Sequence, residues 1–271
     1  MPEAAGNEPA PRAGRRTRTT PAMPVPTPDD TARLVEVHGR LCAAYGCPVA
    51  YFHALDPLDE LVSSLLSHRT KNADSGRAFR QLRERFADWQ AVVDAPVEAV
   101  QDAIAPCTWP EAKAPALQRT LREVAARNGA LTLSNLEAMT VPEARAWLES
   151  IAGIGPKTSA AVLAFSGLRR RALPVDSHHH RVAARLGLIP ESLAVGPSHR
   201  VLEAMLPPDW DAQGVYDPHE VMMFHGQRCC FFRNPACDRC QVLDLCPTGQ
   251  ARRGAAKPRA RNDGLPLFPD P

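Results

Sequence analysis

Two sets of side chains in this 271-residue chain have the types and spacing for chemistry. The first is Lys157 with Asp176. Lys157 follows the run Ile151-Ala152-Gly153-Ile154-Gly155-Pro156, and Asp176 stands in Pro174-Val175-Asp176-Ser177-His178. The chain holds four lysines beside 28 arginines, so each lysine is worth locating. A lysine in the first turn of a helix opposes the helix dipole by roughly a few tenths of a kcal/mol. A nucleophilic amine of depressed pKa is one reason to place it there, and a carboxylate at the start of the next helix is a partner for its proton. Taken singly, Lys157 reads as a surface charge and Asp176 as an N-cap; the pair carries the signal.

The second set is Cys230, Cys237, Cys240 and Cys246, spaced C-x6-C-x2-C-x5-C within 17 residues. Asn234-Pro235 turns the first loop, and the short gap Asp238-Arg239 lets Cys237 and Cys240 reach one centre. Tetrahedral zinc and a cubane iron–sulfur cluster both accept four cysteines. Zinc sites usually pair two two-residue gaps, and the single one here favours iron–sulfur. Cys229 can replace Cys230 only by lengthening the first gap to seven. Cys42, Cys47 and Cys107 sit among apolar neighbours and read as buried small hydrophobes. Five of eight cysteines fall between 229 and 246, in a chain long enough to build a core without staples. That pattern reads as a metal site in a reducing compartment.

The elements that must position these groups are helices. Asp56-Pro57-Leu58-Asp59-Glu60 offers an N-cap, a proline at the first helical position and first-turn acids, ahead of Leu61, Val62, Leu65 and Leu66. Asn72 opens a segment with Ala78, Phe79, Leu82 and Phe86 at helical spacing. Further amphipathic stretches are expected near 96–105, 111–128, 142–152, 157–166, 177–187, 198–206 and 218–228, with Thr140-Val141-Pro142-Glu143 as a capping box. There is no alternating run long enough for a strand and no repeat of 20–50 residues. The expected fold class is all-α. Gly153 and Gly155 around Ile154 allow a tight turn whose N–H groups point outward, beside the helix that Pro156 starts. Such a helix–hairpin–helix turn grips a DNA phosphate without net positive charge. G-x-x-x-x-G-K-[ST] is absent, which disfavours a nucleotide-phosphate cradle.

The charge balance makes that economy necessary. With 32 basic and 30 acidic side chains the net charge is +2, which excludes a polybasic coat as the basis of function. Residues 1–29, with seven prolines, read as a disordered Pro/Arg-rich leader, and 250–271 as a disordered basic tail. No stretch approaches the roughly 18 apolar residues of a membrane span, and the first 30 residues hold no apolar segment for a secretory signal.

Residues 151–158, Val175-Asp176-Ser177-His178 through Arg181-Val182, and the x6-x2-x5 cysteine spacing together resemble the endonuclease III family. These are helix–hairpin–helix, Gly/Pro-Asp superfamily base-excision DNA glycosylases. The likeness runs over about residues 32–248 in the same order. Residues 61–72 (LVSSLLSHRTKN) and 106–113 (PCTWPEAK) resemble that family's second helix with its wedge loop and its mid-barrel helix. The resemblance implies a two-lobed all-α protein, with a six-helix barrel over 57–167 and a second lobe joining 30–56 to 168–249 around a [4Fe–4S] cluster. Double-stranded DNA with a damaged or missing base would lie across the cleft, its damaged nucleotide flipped in. Lys157 would attack the sugar C1′, displace the base and form a Schiff base that permits β-elimination, an abasic-site lyase step. Asp176 would orient and deprotonate the amine, or balance the developing sugar cation. By the same resemblance Gly153 and Gly155 bind phosphate, Cys230, Cys237, Cys240 and Cys246 ligate the cluster, and Arg233 and Arg239 meet phosphates. Relatives that excise adenine opposite oxidised guanine generally lack the lysine and carry a further C-terminal domain for which this chain has no room. The expectation is therefore an enzyme for oxidised pyrimidines, monomeric, cytoplasmic and bacterial.

Some positions depart from the family. Ala152 replaces a proline, and Ser67-His68-Arg69-Thr70 lacks the glutamine that often fills the gap left by a flipped base, a task left to Arg69 or His68. The three histidines His178-His179-His180 point about 100° apart on a helix and cannot share a metal. Arg169-Arg170-Arg171 reads as a solvated connector, with a DNA-facing role as the alternative. The rival readings are a glycosylase for another lesion or mismatch, a non-catalytic DNA-structure binder, and a four-cysteine zinc module.

Overall fold

The computed structural model describes residues 23–255. Over them the backbone is helical with no strand, in keeping with the all-α expectation. Twelve α-helices follow one another among these residues: α1 (Pro28–Tyr45), α2 (Pro57–Ser67), α3 (Asn72–Arg85), α4 (Trp89–Asp94), α5 (Val97–Ala103), α6 (Pro110–Asn128), α7 (Val141–Glu149), α8 (Pro156–Phe165), α9 (Ser177–Arg185), α10 (Val195–Ala204), α11 (Ala212–Arg228) and α12 (Pro247–Ala255). The local signals act as read. The Asp56 carboxylate accepts the Leu58 N–H at 2.9 Å to start α2, and Thr140 with Glu143 closes a capping box on α7.

Apolar side chains gather in two cores. One runs from Leu58 to Ala172 and is built by α2–α8; the other joins Leu34, Val37 and Leu41 of α1 to residues from Leu173 to Cys246. A small third cluster, Ala161, Ala164 and Phe165 of α8 with Tyr216 of α11, lies apart from both. The helix carrying Lys157 is thus the most enclosed among the described residues. Every residue of α8 from Thr158 to Phe165 is buried, and α8 packs on α2, α7 and α10. An element apolar on all sides is stable only when surrounded.

Residues 57–167, the span of the expected six-helix barrel, carry α2 to α8, and the short α4 is pinned by its buried Trp89, whose indole N–H donates to Asp59 at 2.7 Å. Three expectations need correction. Residues 250–255 are helical in α12, where Gln250 donates to the Asp244 carbonyl at 2.5 Å and a Cβ on Gly249 would come within 2.8 Å of Leu243. At the other end, Thr27 caps α1 and Pro28 and Asp29 of the expected leader are helical, while residues 1–22 and 256–271 lie outside the described residues. Cys42 and Cys47 are not buried hydrophobes: α1 ends at Tyr45, Gly46 turns the chain at φ +88°, and an exposed Cys47 meets Cys42 in a disulfide with the Cα atoms 5.1 Å apart. Cys107 is buried, as expected.

The arginine run is the third. None of the three is a solvated connector. The Arg169 guanidinium lies 3.5 Å from the Tyr51 ring centre and donates to the carbonyls of Phe165 and His53; Arg170 donates to the Met139 carbonyl; Arg171 donates to the Trp210 and Pro207 carbonyls at 2.8 Å each. The run clamps the chain where it passes from one core to the other. A second clamp shapes the loop after α2. Lys113 of α6 donates to the Leu66 carbonyl at 2.6 Å, the His68 carbonyl at 2.8 Å and the Thr70 hydroxyl at 2.7 Å.

Arg171→Ala is therefore expected to lower unfolding stability by about 1–3 kcal/mol in urea titration; no change would return the run to solvent. Lys113→Met is expected to speed amide exchange over residues 67–71 at least tenfold, a loss of about 1.4 kcal/mol of local protection.

Candidate active site and cysteine knot

The hairpin before α8 closes when the Ile154 N–H donates to the Ile151 carbonyl at 3.1 Å, with Gly153 at φ +92°, where a side chain would be strained. Gly155 is the N-cap of α8, and no side chain caps that helix. A Cβ built on Gly153 or Gly155 meets nothing within 4 Å, so both face open space and the helix N-terminus is free to meet an anion.

Lys157 is the second residue of α8 and partly buried. Burial holds its ammonium well below the ordinary lysine range, against the opposing pull of Asp176 and Glu60. Asp176 is the N-cap of α9 and accepts the His179 N–H at 2.7 Å. Its burial works to raise the carboxyl, but His219, the His179 N–H and the imidazoles of His179 and His178 outweigh that and hold it below the usual carboxylate range. Two buried histidines fix the segment leading into Asp176. His219 of α11 approaches the Pro174 carbonyl with Nδ1 at 2.7 Å, and His199 of α10 accepts the Val175 N–H on Nε2 at 3.0 Å while its Nδ1 faces the Val195 carbonyl. These contacts assign Nδ1–H to both rings.

The sequence reading missed Glu60, His199 and His219. Glu60 is 3% exposed and interacts with Lys157, although its place in the first turn of α2 reads as an exposed acid. A signal was present: Glu60, Ser64 and Ser67 of α2 and its C-cap His68 fall on one face. No local pattern marks His199 or His219.

Of the two wedge candidates, the structure separates the roles. His68 turns inward, its Nε2 2.9 Å from the Thr158 hydroxyl beside Lys157, and burial with the nearby Lys157 and Lys113 pushes it down to about 4, so it is neutral at pH 7. Arg69 turns outward at φ +52°, 5.9 Å from the ring of Trp109, which is 52% exposed and itself at φ +56°. Trp109 is thus a second side chain at the loop tip that the reading did not single out. The three consecutive histidines go three ways: His178 to Arg181, His179 into the core beside His219, and His180 to the Leu193 carbonyl at 2.7 Å.

The four cysteines converge. Cys237 feels the charges of Cys230 and Cys240, and Cys246 those of Cys230, Cys237 and Cys240. They line one small, partly open cavity together with Cys229, His225 and Arg185. The donor set suits a thiolate-bound group: Arg185 donates to the Cys230 sulfur and the Gly249 N–H to the Cys246 sulfur, both at 3.2 Å. Cys229 belongs to the same knot, and with His225 and Cys240 forms a three-ligand group. Arg233 and Arg239 are exposed at its rim, with Phe232, 75% exposed, between Arg233 and the first ligand.

The comparisons with known proteins fit this geometry. Residues 62–207 match the model for HhH-GPD superfamily base excision DNA repair proteins. A candidate DNA glycosylase of Arabidopsis thaliana is 30% identical over 64% of this chain, which spans 57% of that relative's length. Endonuclease III of Thermotoga maritima is 28% identical over 77% of this chain and 90% of its own. Among solved structures, a trapped endonuclease III–DNA covalent intermediate shares the fold with a TM-score of 0.70 and 21% identity, covering 82% of this chain and 98% of that one. The chain belongs to the HhH-GPD superfamily of base excision DNA repair proteins, within the endonuclease III family.

Proposed function

We propose that the protein is a DNA glycosylase with abasic-site lyase activity, acting on oxidised pyrimidines in double-stranded DNA through Lys157. The observation that carries this reading is the buried Lys157 amine, facing Asp176 behind an uncapped glycine hairpin. A lysine lowered by burial is a neutral nucleophile for more of the physiological range. Its lone pair adds to C1′ as the bond to the base breaks, and that bond's electron pair leaves with the base. Opening of the sugar ring gives the Schiff base, whose C2′ proton is acidic; its loss expels the 3′ phosphate. Asp176, held ionised, faces the positive charge that develops on the sugar. Gly153, Gly155 and the α8 N-terminus would take a backbone phosphate, and Arg69 with Trp109 would enter the duplex where the nucleotide leaves, with His68 facing the vacated pocket.

Cys230, Cys237, Cys240 and Cys246 would hold a [4Fe–4S] cluster, which when bound ties the loop between α11 and α12 to a rigid centre. Arg233 and Arg239 on that loop would meet phosphates, with double-stranded DNA bound by a single copy of the chain. The Arg69–Trp109 tip, where a glutamine is usual, favours a second reading that keeps the same chemistry for another lesion or mismatch.

Borohydride trapping tests the reading, on duplexes carrying thymine glycol or an abasic site. Wild type is expected to give a covalent adduct on both, Lys157→Ala on neither, and Asp176→Asn at least a hundredfold more slowly. An adduct at the abasic site alone keeps the lyase and moves the substrate to the second reading; none from a DNA-binding wild type sinks the lyase. Purified protein is expected to be brown with about four irons per chain, and Cys237→Ser colourless. Arg239→Ala is expected to reduce the salt dependence of DNA binding by about one phosphate contact.

A further inference from the structure

Glu60 is a charge-bearing group for which the fold alone supplies little use. It is 3% exposed; Oε1 accepts the Ser64 hydroxyl at 3.0 Å, while Oε2 has no hydrogen-bond partner and stands 3.3 Å from His53 Nε2. A buried carboxylate left half satisfied is unfavourable unless a neighbouring charge uses it. The cations facing Glu60 from packed elements are Lys157 on α8 and Arg169 after it. Arg169 is engaged elsewhere, on Tyr51 and two carbonyls. Lys157 in turn faces Asp176 at the head of α9, Glu60 of α2 with His68 just after that helix, and His219 from α11.

We propose that Glu60 is a positioning residue, a second carboxylate partner of Lys157 that holds the proton on its amine and so sets the pH at which that amine becomes a nucleophile. The inference rests on the reading of Lys157 as the nucleophile. Asp176 and Glu60 divide the work because their surroundings push them apart. Asp176 lies below the ordinary range and stays ionised, a constant charge. Glu60 is pushed up to about 7 by burial, against the pull of Ser64, Lys157 and Arg169, so it changes charge near neutrality. As pH rises through that point Glu60 ionises and strengthens the amine's hold on its proton; below it that hold is absent. In Glu60→Gln the added hold never appears, and the amine deprotonates at lower pH.

The chain's four lysines make this directly measurable by NMR. In full-length protein labelled with 13C-lysine, the Cε resonance missing from Lys157→Ala reports the Lys157 titration. Glu60→Gln is expected to lower its midpoint by about one pH unit, and the rising limb of the trapping rate at an abasic site moves down with it. Asp59→Asn, which removes the adjacent charge and keeps an acceptor for the Trp89 indole, leaves the midpoint in place. If Glu60→Gln does not fold, Ser64→Ala serves: losing the hydroxyl leaves Glu60 more protonated, and the midpoint falls by a smaller amount. A folded Glu60→Gln, or a Ser64→Ala variant in its stead, with an unmoved Lys157 midpoint overturns the proposal, whatever its activity. A midpoint that moves in Glu60→Gln while the wild type traps no DNA sinks the proposed lyase and leaves the Glu60–Lys157 link standing.

Discussion

Keeping a lysine amine out of water is the constraint on which the rest of this structure depends. Removing an ammonium from solvent favours its neutral form, and that is useful only where counter-charges limit the loss and a substrate can still arrive. Both counter-charges come from other elements: Glu60 from α2, which packs within the first core, and Asp176 from the head of α9, where the second core begins. Their relative position is therefore set by the seam between the cores. The seam is held by arginine side chains stacked on an aromatic ring and bonded to carbonyls, and by the α8–Tyr216 cluster. What reads in one dimension as a polar linker is in three dimensions the bracket that fixes the site.

Lysine and aspartate both stand at helix N-termini, and the same field acts on them with opposite sign. At the head of α9 it stabilises the Asp176 anion, which also satisfies the His179 N–H. At the head of α8 it opposes the Lys157 cation and adds to the effect of burial. Two buried histidines, each with Nδ1–H on a backbone carbonyl, hold Pro174 and Val175 in place. Both position Asp176 through hydrogen bonds to the backbone before it, and His219 also favours the charge on its carboxylate.

The cysteine knot solves a different problem. Residues 229–246 hold few large apolar side chains and two short 3-10 turns, too little to fix a loop by hydrophobic burial. Sulfur does it instead. The thiols turn inward to one cavity while Arg185 and Gly249 donate to them, leaving Phe232, Arg233 and Arg239 on the outside. On the proposed reading, the inward chemistry would free the outward face for a polyanion, on a chain whose net charge is +2.

The sequence by itself determined whatever depends on near neighbours along the chain. Helical periodicity, caps such as Asp56 and Thr140, the glycine hairpin and the cysteine spacing are set by local sterics and short loops, so the all-α class was legible, and Lys157, Asp176, Cys230, Cys237, Cys240 and Cys246 stood out as candidates. Which of His68 and Arg69 turns inward, the burial of Glu60, the roles of His199 and His219, the Cys42–Cys47 bond and the clamping by Arg169, Arg170 and Arg171 were decided only by the tertiary structure. Each depends on a partner beyond the local element or on how the chain turns back on itself. Glu60 and Asp59 are adjacent acids in one helical turn, yet one bonds an indole at the edge of the first core and the other is sealed beside Lys157. A helix turns 100° per residue, and it is the packing of α8 against α2 that decides which of those two directions water never reaches.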